Sequence, residues 1–150
     1  MNNAKLAELL AMELAHLQRS SASLERSLAK CASLTPSPRQ SFEDEESFDA
    51  LTSKFARTAD ILTQKVLKTL VMLLREDAPT FIDRMNLCEK LGIVPSAGGL
   101  VEVRDLRNTI AHEYAAEDLL EIYADTVRLC PLLLAAVASS SSFAGERLGR

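Results

Sequence analysis

Residues 104–115 read RDLRNTIAHEYA and hold one of the chain's only two histidines. On an α-helix, with about 100° of rotation per residue, the stretch divides into two sides. Taking Arg107 as zero, Ala111 falls near ~40°, Arg104 near ~60°, Asn108 near ~100°, His112 near ~140° and Asp105 near ~160°. Tyr114 returns to within ~20° of Arg107, and Val103, Leu106 and Ile110 cluster between ~260° and ~320°. One side packs into a core. The other presents a guanidinium, an amide and an imidazole, with the small Ala111 leaving room for a second helix or a phosphate. The spacing predicts a helix that runs on to Tyr114 or Ala115.

Working outward, the same periodicity recurs along most of the chain. Downstream, a last helix begins near Glu117-Asp118 and carries Leu119, Leu120, Ile122, Tyr123, Val127 and Leu129. Pro131 removes a backbone donor and is expected to kink it. Ser139 to Arg150 loses the apolar rhythm and reads as a flexible tail. Upstream, Gly98-Gly99 either delays the motif helix to Leu100 or marks its first turn, with Ser96 as cap. A short helix over about 80–91 turns Phe81, Met85, Cys88 and Leu91 inward and stops at Gly92. Before it, Phe48, Leu51, Phe55, Leu62, Val66, Thr69 and Leu73 follow a seven-residue rhythm, the spine of a bundle. The acidic run Glu43 to Glu46 suits the positive start of that spine better than it suits a metal. Lys54, Arg57, Lys65 and Lys68 lie off its apolar stripe, as solvated charges or phosphate contacts. The first helix, about Ala4 to Ala32, keeps one leucine stripe, with Ser20, Ser21 and Ser23 as a softening or a bend. His16 on it reads as a surface histidine.

Taken together, this is an all-α chain, an antiparallel bundle of about five helices. Residues 1–138 form one domain and 139–150 the tail. The 150 residues are 47% apolar and 25% charged, the balance of an ordinary globular domain. A net charge of −4 and a pI near 5.2 argue against nonspecific coating of nucleic acid. A local basic patch, or one completed by a second subunit, remains compatible. Cys31, Cys88 and Cys130 carry neither a Cys-x-x-Cys pair nor zinc spacing, so three reduced, buried thiols are expected. No metal or cofactor is called for. No run approaches the ~20 apolar residues of a membrane span, and no signal peptide is visible, so a cytoplasmic protein is expected.

Arg107 to Tyr114 reads as Arg-x4-His-x-Tyr with Asn after the Arg. It resembles the signature of the HEPN superfamily of all-α ribonucleases, and in particular the HepT-like toxins. The order of FDALTSKFARTADILTQKVLKTL, FIDRMNLCEKLGI and the motif is similar to that of a HepT-like domain, over about residues 5–137. The resemblance implies a homodimer through the motif helix with a composite active site. It implies an RNA substrate and a type VII-like toxin–antitoxin pair. The partner would be a cognate minimal nucleotidyltransferase antitoxin that transfers AMP from ATP to the matching tyrosine, here Tyr114. Tyr123 lies outside the motif.

The residue types suit metal-independent RNA cleavage, in which the 2′-hydroxyl attacks the adjacent phosphorus. Histidine serves proton transfer near neutral pH, so His112 is the candidate acid, base or both. Arginine matches phosphate oxygens with its planar fork, so Arg107 would steady the developing charge. Asn108 would hold the imidazole or a phosphate oxygen. Arg104 is an auxiliary phosphate contact or a solvated charge. Two motif helices meeting across a two-fold axis would bring two His112 and two Arg107 to one cleft. The other readings are a non-catalytic binding subunit of a nucleotidyltransferase pair and a nucleotide-binding HEPN module.

Overall fold

The computed structural model describes residues 2–112 and 118–148. Helix α1 spans Asn3–Cys31, α2 Phe42–Asp60, α3 Leu67–Leu73, α4 Phe81–Lys90, α5 Ala97–Ala111 and α6 Leu119–Leu148. A π-helical segment, Ile61–Val66, joins α2 to α3, so 42–73 is one continuous rod. The described residues therefore form an all-α bundle of five helical rods, as the periodicity indicates.

Four helix starts have a chemical cause. Asn2 Oδ1 accepts from Lys5 N at 2.9 Å, Ser41 Oγ from Asp44 N at 3.1 Å, Thr80 Oγ1 from Asp83 N at 3.0 Å and Ser96 Oγ from Gly99 N at 3.0 Å. Glu43, Asp44 and Glu45 fill the first turn of α2, where the helix dipole favours them. Gly92, at φ 76°, closes α4: its N–H bonds Glu89 O at 3.1 Å, and Ile93 N–H bonds Cys88 O at 2.8 Å.

The core is the leucine stripe of α1 against the spine. Leu10, Leu17 and Leu24 are fully buried, as are Phe48, Leu51, Phe55, Leu62, Val66 and Leu70. The serines of α1 do not interrupt it. Ser20 Oγ bonds Thr58 Oγ1 of α2 at 2.7 Å across the interface, which makes a polar position tolerable in the core. Tyr123 of α6 stacks on Phe48 with centroids 5.0 Å apart, and its hydroxyl donates to Asp49. All three cysteines are free and buried. Burial pushes the Cys88 thiol up to about 11 and the Cys130 thiol up to about 12.

Two expectations change. Residues 139–148 are the last turns of α6, not a loose tail. Ser140 Oγ donates to Ala136 O at 2.8 Å, Ser139 Oγ donates to Ile93 O at 2.8 Å, and Ala144 is fully buried. Hydroxyls that find an acceptor on their own helix or a neighbouring loop can be buried, so these turns pack without an apolar rhythm. Second, α6 is long and apolar enough to cross a membrane by length and composition. Its buried residues, Ile122, Tyr123, Thr126, Leu129, Cys130, Leu133, Ala136, Val137, Ser140 and Ala144, recur every three or four positions. That stripe is the signature of a helix packed on a bundle along one face.

Candidate phosphate-binding cleft on α5

Helix α5 packs between α2, α4 and α6. Gly98-Gly99 belongs to its first turn, behind the Ser96 cap. The reason is steric: a Cβ at Gly99 would stand 2.7 Å from Leu132 Cδ1 of α6, so glycine lets the two helices close. Val103 and Leu106 are buried, as their wheel positions predict.

The polar side of α5 faces the junction of α2 with the π segment. There Arg107 forms a two-point ion pair with Asp60, Nε to Oδ1 at 2.7 Å and Nη2 to Oδ2 at 2.8 Å. The hydrogen bonds to Asp60 raise the arginine's already high pKa, so it stays cationic. The pair borders a cavity of about 330 Å³, also lined by Thr63, Gln64, Lys65, Arg104 and Asn108. Three cations and two amides thus face one carboxylate. The Lys65 ammonium and the Asn108 amide have no hydrogen-bond partner among the described residues.

The π segment shapes this wall. Leu67 N–H reaches back to Leu62 O, five residues away, so the backbone widens where Thr63, Gln64 and Lys65 line the cavity. Such segments often accompany functional sites. No periodicity announced it. Asp60 and Gln64 did not stand out in the sequence, and Lys65 was one of four equivalent cations on the spine.

The imidazole is placed differently from the wheel. Helix α5 ends at Ala111, and His112 is its C-cap, extended at φ −94° and ψ 158°. Its N–H still bonds Asn108 O and Thr109 O, both at 3.2 Å. Glu113 and Glu117 would sit at the negative end of a longer α5, where carboxylates are unfavourable. The His112 side chain is exposed and does not line the cavity that holds Arg107 and Asn108. Tyr114 lies outside the described residues.

Arg104 leans on α4. Its guanidinium carbon is 4.4 Å from the Phe81 ring centroid, and it makes two long contacts of 3.4 Å with Asp105 Oδ1. Arg84 lies 5.7 Å from the same ring; burial pushes its pKa down. On the other flank of α5, a groove of about 390 Å³ is lined by Glu102, Asp105, Asp118, Glu121 and Asp125, with Arg128 paired to Glu102 and Asp125. Helix α5 therefore separates a cationic cleft from an acidic groove. The larger cleft between α1 and α2, about 730 Å³, balances Arg26, Lys30 and Lys54 against Glu43, Asp44 and Glu46. No three His, Cys, Asp or Glu side chains among the described residues are grouped to hold a metal.

No known protein family, curated protein or solved structure matches the chain.

Proposed function

We propose that this protein is an endoribonuclease that binds an RNA phosphate at the Arg107 cleft and uses His112 for proton transfer. The observation that carries the reading is the cleft itself: an arginine already gripping two carboxylate oxygens, with Lys65, Arg104 and Asn108 around it. A carboxylate and a phosphate offer the guanidinium the same two-oxygen edge, so Asp60 marks where a phosphate binds. His112, one turn beyond Asn108, is solvent-facing rather than in the cleft. A second copy meeting the first along α5 would supply the histidine that one chain does not bring to its own arginine. Cleavage through the 2′-hydroxyl then needs no metal or cofactor. The RNA is the substrate, and the protein acts in the cytoplasm as the toxin of a type VII-like pair. Its antitoxin is a minimal nucleotidyltransferase that silences it by AMPylating Tyr114, since a bulky anionic group on that tyrosine would repel RNA.

Cleavage of a labelled RNA in EDTA tests the reading. His112→Ala and Arg107→Ala should each lower the rate by about 100-fold or more. Mixed Arg107→Ala and His112→Ala chains should regain part of it by forming one intact composite site. Equal harmlessness and inactivity of wild type and His112→Ala would remove the nuclease. A second reading, a binding subunit without catalysis, is favoured by one fact: Asp60 occupies Arg107 and His112 stands apart from it. Wild-type RNA binding that survives His112→Ala, with no cleavage by either, would select it.

A further inference from the structure

Arg104 differs from Arg107 in what holds it. Arg107 is fixed by a carboxylate at two points. Arg104 has only Asp105 beside it in sequence, at 3.4 Å, and that carboxylate is mostly exposed. Its firm support is the Phe81 ring at 4.4 Å, the separation of a guanidinium lying against an aromatic face. Phe81 is half-buried against the core at the start of α4, so the ring is a fixed brace. Arg84 adds a second guanidinium to that ring. It is 6% exposed, it has no ion pair among the described residues, and its Nε has no hydrogen-bond partner. Around Phe81, Arg84 thus has no ion pair among the described residues, and Arg104 has only the mostly exposed Asp105 against it.

Arg104 also lines the Arg107 cavity, and a third of its side chain is exposed. A planar, weakly hydrated cation with one side on an aromatic ring leaves its remaining surface for another flat group. Unpaired nucleobases stack on arginine planes in this way. The cavity volume, about 330 Å³, is at the small end of ligand sites, the scale of one nucleotide unit.

We infer that Arg104, braced by Phe81, is a base-stacking subsite, so that the cleft takes one unpaired nucleotide with its phosphate toward Arg107 and Lys65 and its base on Arg104. The inference rests on the reading of this cleft as a phosphate site. It adds a requirement for a base, which phosphate contacts alone do not impose.

The test is binding of single-stranded 2′-O-methyl RNA, which lacks the attacking hydroxyl, against an abasic chain of equal length, by fluorescence anisotropy. Wild type should prefer the base-bearing chain. Arg104→Lys keeps the charge and loses the plane, so it should weaken that chain about tenfold, the effect of one stacked base, and weaken the abasic chain far less. Phe81→Leu should reproduce the selective loss. Adenosine 5′-monophosphate as competitor separates the two sources of a nucleotide: competition weakened by Arg104→Lys supports the subsite with a free nucleotide as ligand. Equal loss on both chains, or none on either, would make Arg104 a mere charge and overturn the subsite while the phosphate cleft stands. No binding of either chain or of the mononucleotide by wild type would remove the cleft and the subsite together.

Discussion

Arg107 of α5 and Asp60 at the end of α2, 47 residues apart, join through two parallel hydrogen bonds of 2.7 and 2.8 Å. The pair is one-third to two-fifths exposed, so it is worth no more than about 1 kcal/mol to the fold. Its consequence lies in binding, because any phosphate that reaches Arg107 competes with Asp60. Asp60→Asn should therefore lower the urea midpoint only slightly and raise affinity for single-stranded RNA several-fold. The sign of the pKa shift adds no pH dependence near neutrality: a raised arginine pKa gives stability that is complete below the ordinary value and lost only above it. If Asp60→Asn instead abolishes binding, as Arg107→Ala should, Asp60 positions the guanidinium rather than blocking it.

The architecture was legible because its signals are local. Leu10, Leu17 and Leu24 on α1, and Phe48, Leu51 and Phe55 on α2, repeat at helical spacing and are all fully buried. Ser96 and the acids at Glu43 to Glu45 mark starts that exist. Arg107, Asn108 and Arg104 fall on one cleft, as their shared face requires. The rest depends on distant partners or on competition between weak terms. Nothing near Arg107 names Asp60, which reaches it only through the packing of α2 on α5. The π segment inserts a register change that no apolar stripe records. His112 leaves the helix, at φ −94° and ψ 158°, where the periodic pattern would have continued it.

The glycine pair of α5 should answer substitution in opposite ways. Gly98 is exposed, and a Cβ there would meet only Ser96 Oγ at 4.0 Å. Gly98→Ala should stabilise by roughly 0.5–1 kcal/mol, the helix-propensity gain. Gly99→Ala has the same propensity gain, yet its Cβ would meet Leu132 Cδ1 at 2.7 Å and Cγ at 3.2 Å. Overpacking costs about 1–3 kcal/mol, so the net effect should be destabilising. Urea unfolding of Gly99→Ala in a Leu132→Ala background is the control. There the added methyl has room, and the variant should be at least as stable as Leu132→Ala alone.

Burial of the thiols gives an alkaline limit. Cys88 and Cys130 are held up to about 11 and about 12, whereas thiols in the unfolded chain ionise near ~8.5. The folded state keeps protons that the unfolded state releases. The stabilisation is complete below pH ~8.5 and is lost as pH rises toward 11 and 12, on the order of 2 kcal/mol per thiol by pH ~10.5. Urea midpoints measured from pH 7.5 to 10.5 should fall, and fall less steeply in Cys88→Ala/Cys130→Ala. Parallel slopes would mean that other groups govern the alkaline loss. At neutral pH both thiols should resist iodoacetamide until the protein unfolds.

The serine-rich end offers the sharpest contrast between pattern and packing. If residues 139–150 hung free, ending the chain after Ala138 would change nothing. In the folded chain, that cut removes the Ser139 hydroxyl that donates to Ile93 O, the buried Ser140, and Ala144 with no exposure at all. Ile93 O lies in the link from α4 to α5, so losing its donor loosens the base of the helix that carries Arg107. One buried acceptor left without a donor costs about 1–3 kcal/mol, and the lost apolar cover adds to it. The truncated chain should therefore unfold at clearly lower urea, by on the order of 2–4 kcal/mol. Ser139→Ala should reproduce only part of the hydrogen-bond share, since Ser140 Oγ also lies 3.5 Å from Ile93 O. Hydrogen exchange would locate the effect, with faster exchange in the 91–99 segment. An unchanged midpoint on truncation would return residues 139–150 to the status of a tail and detach the α4–α5 link from α6.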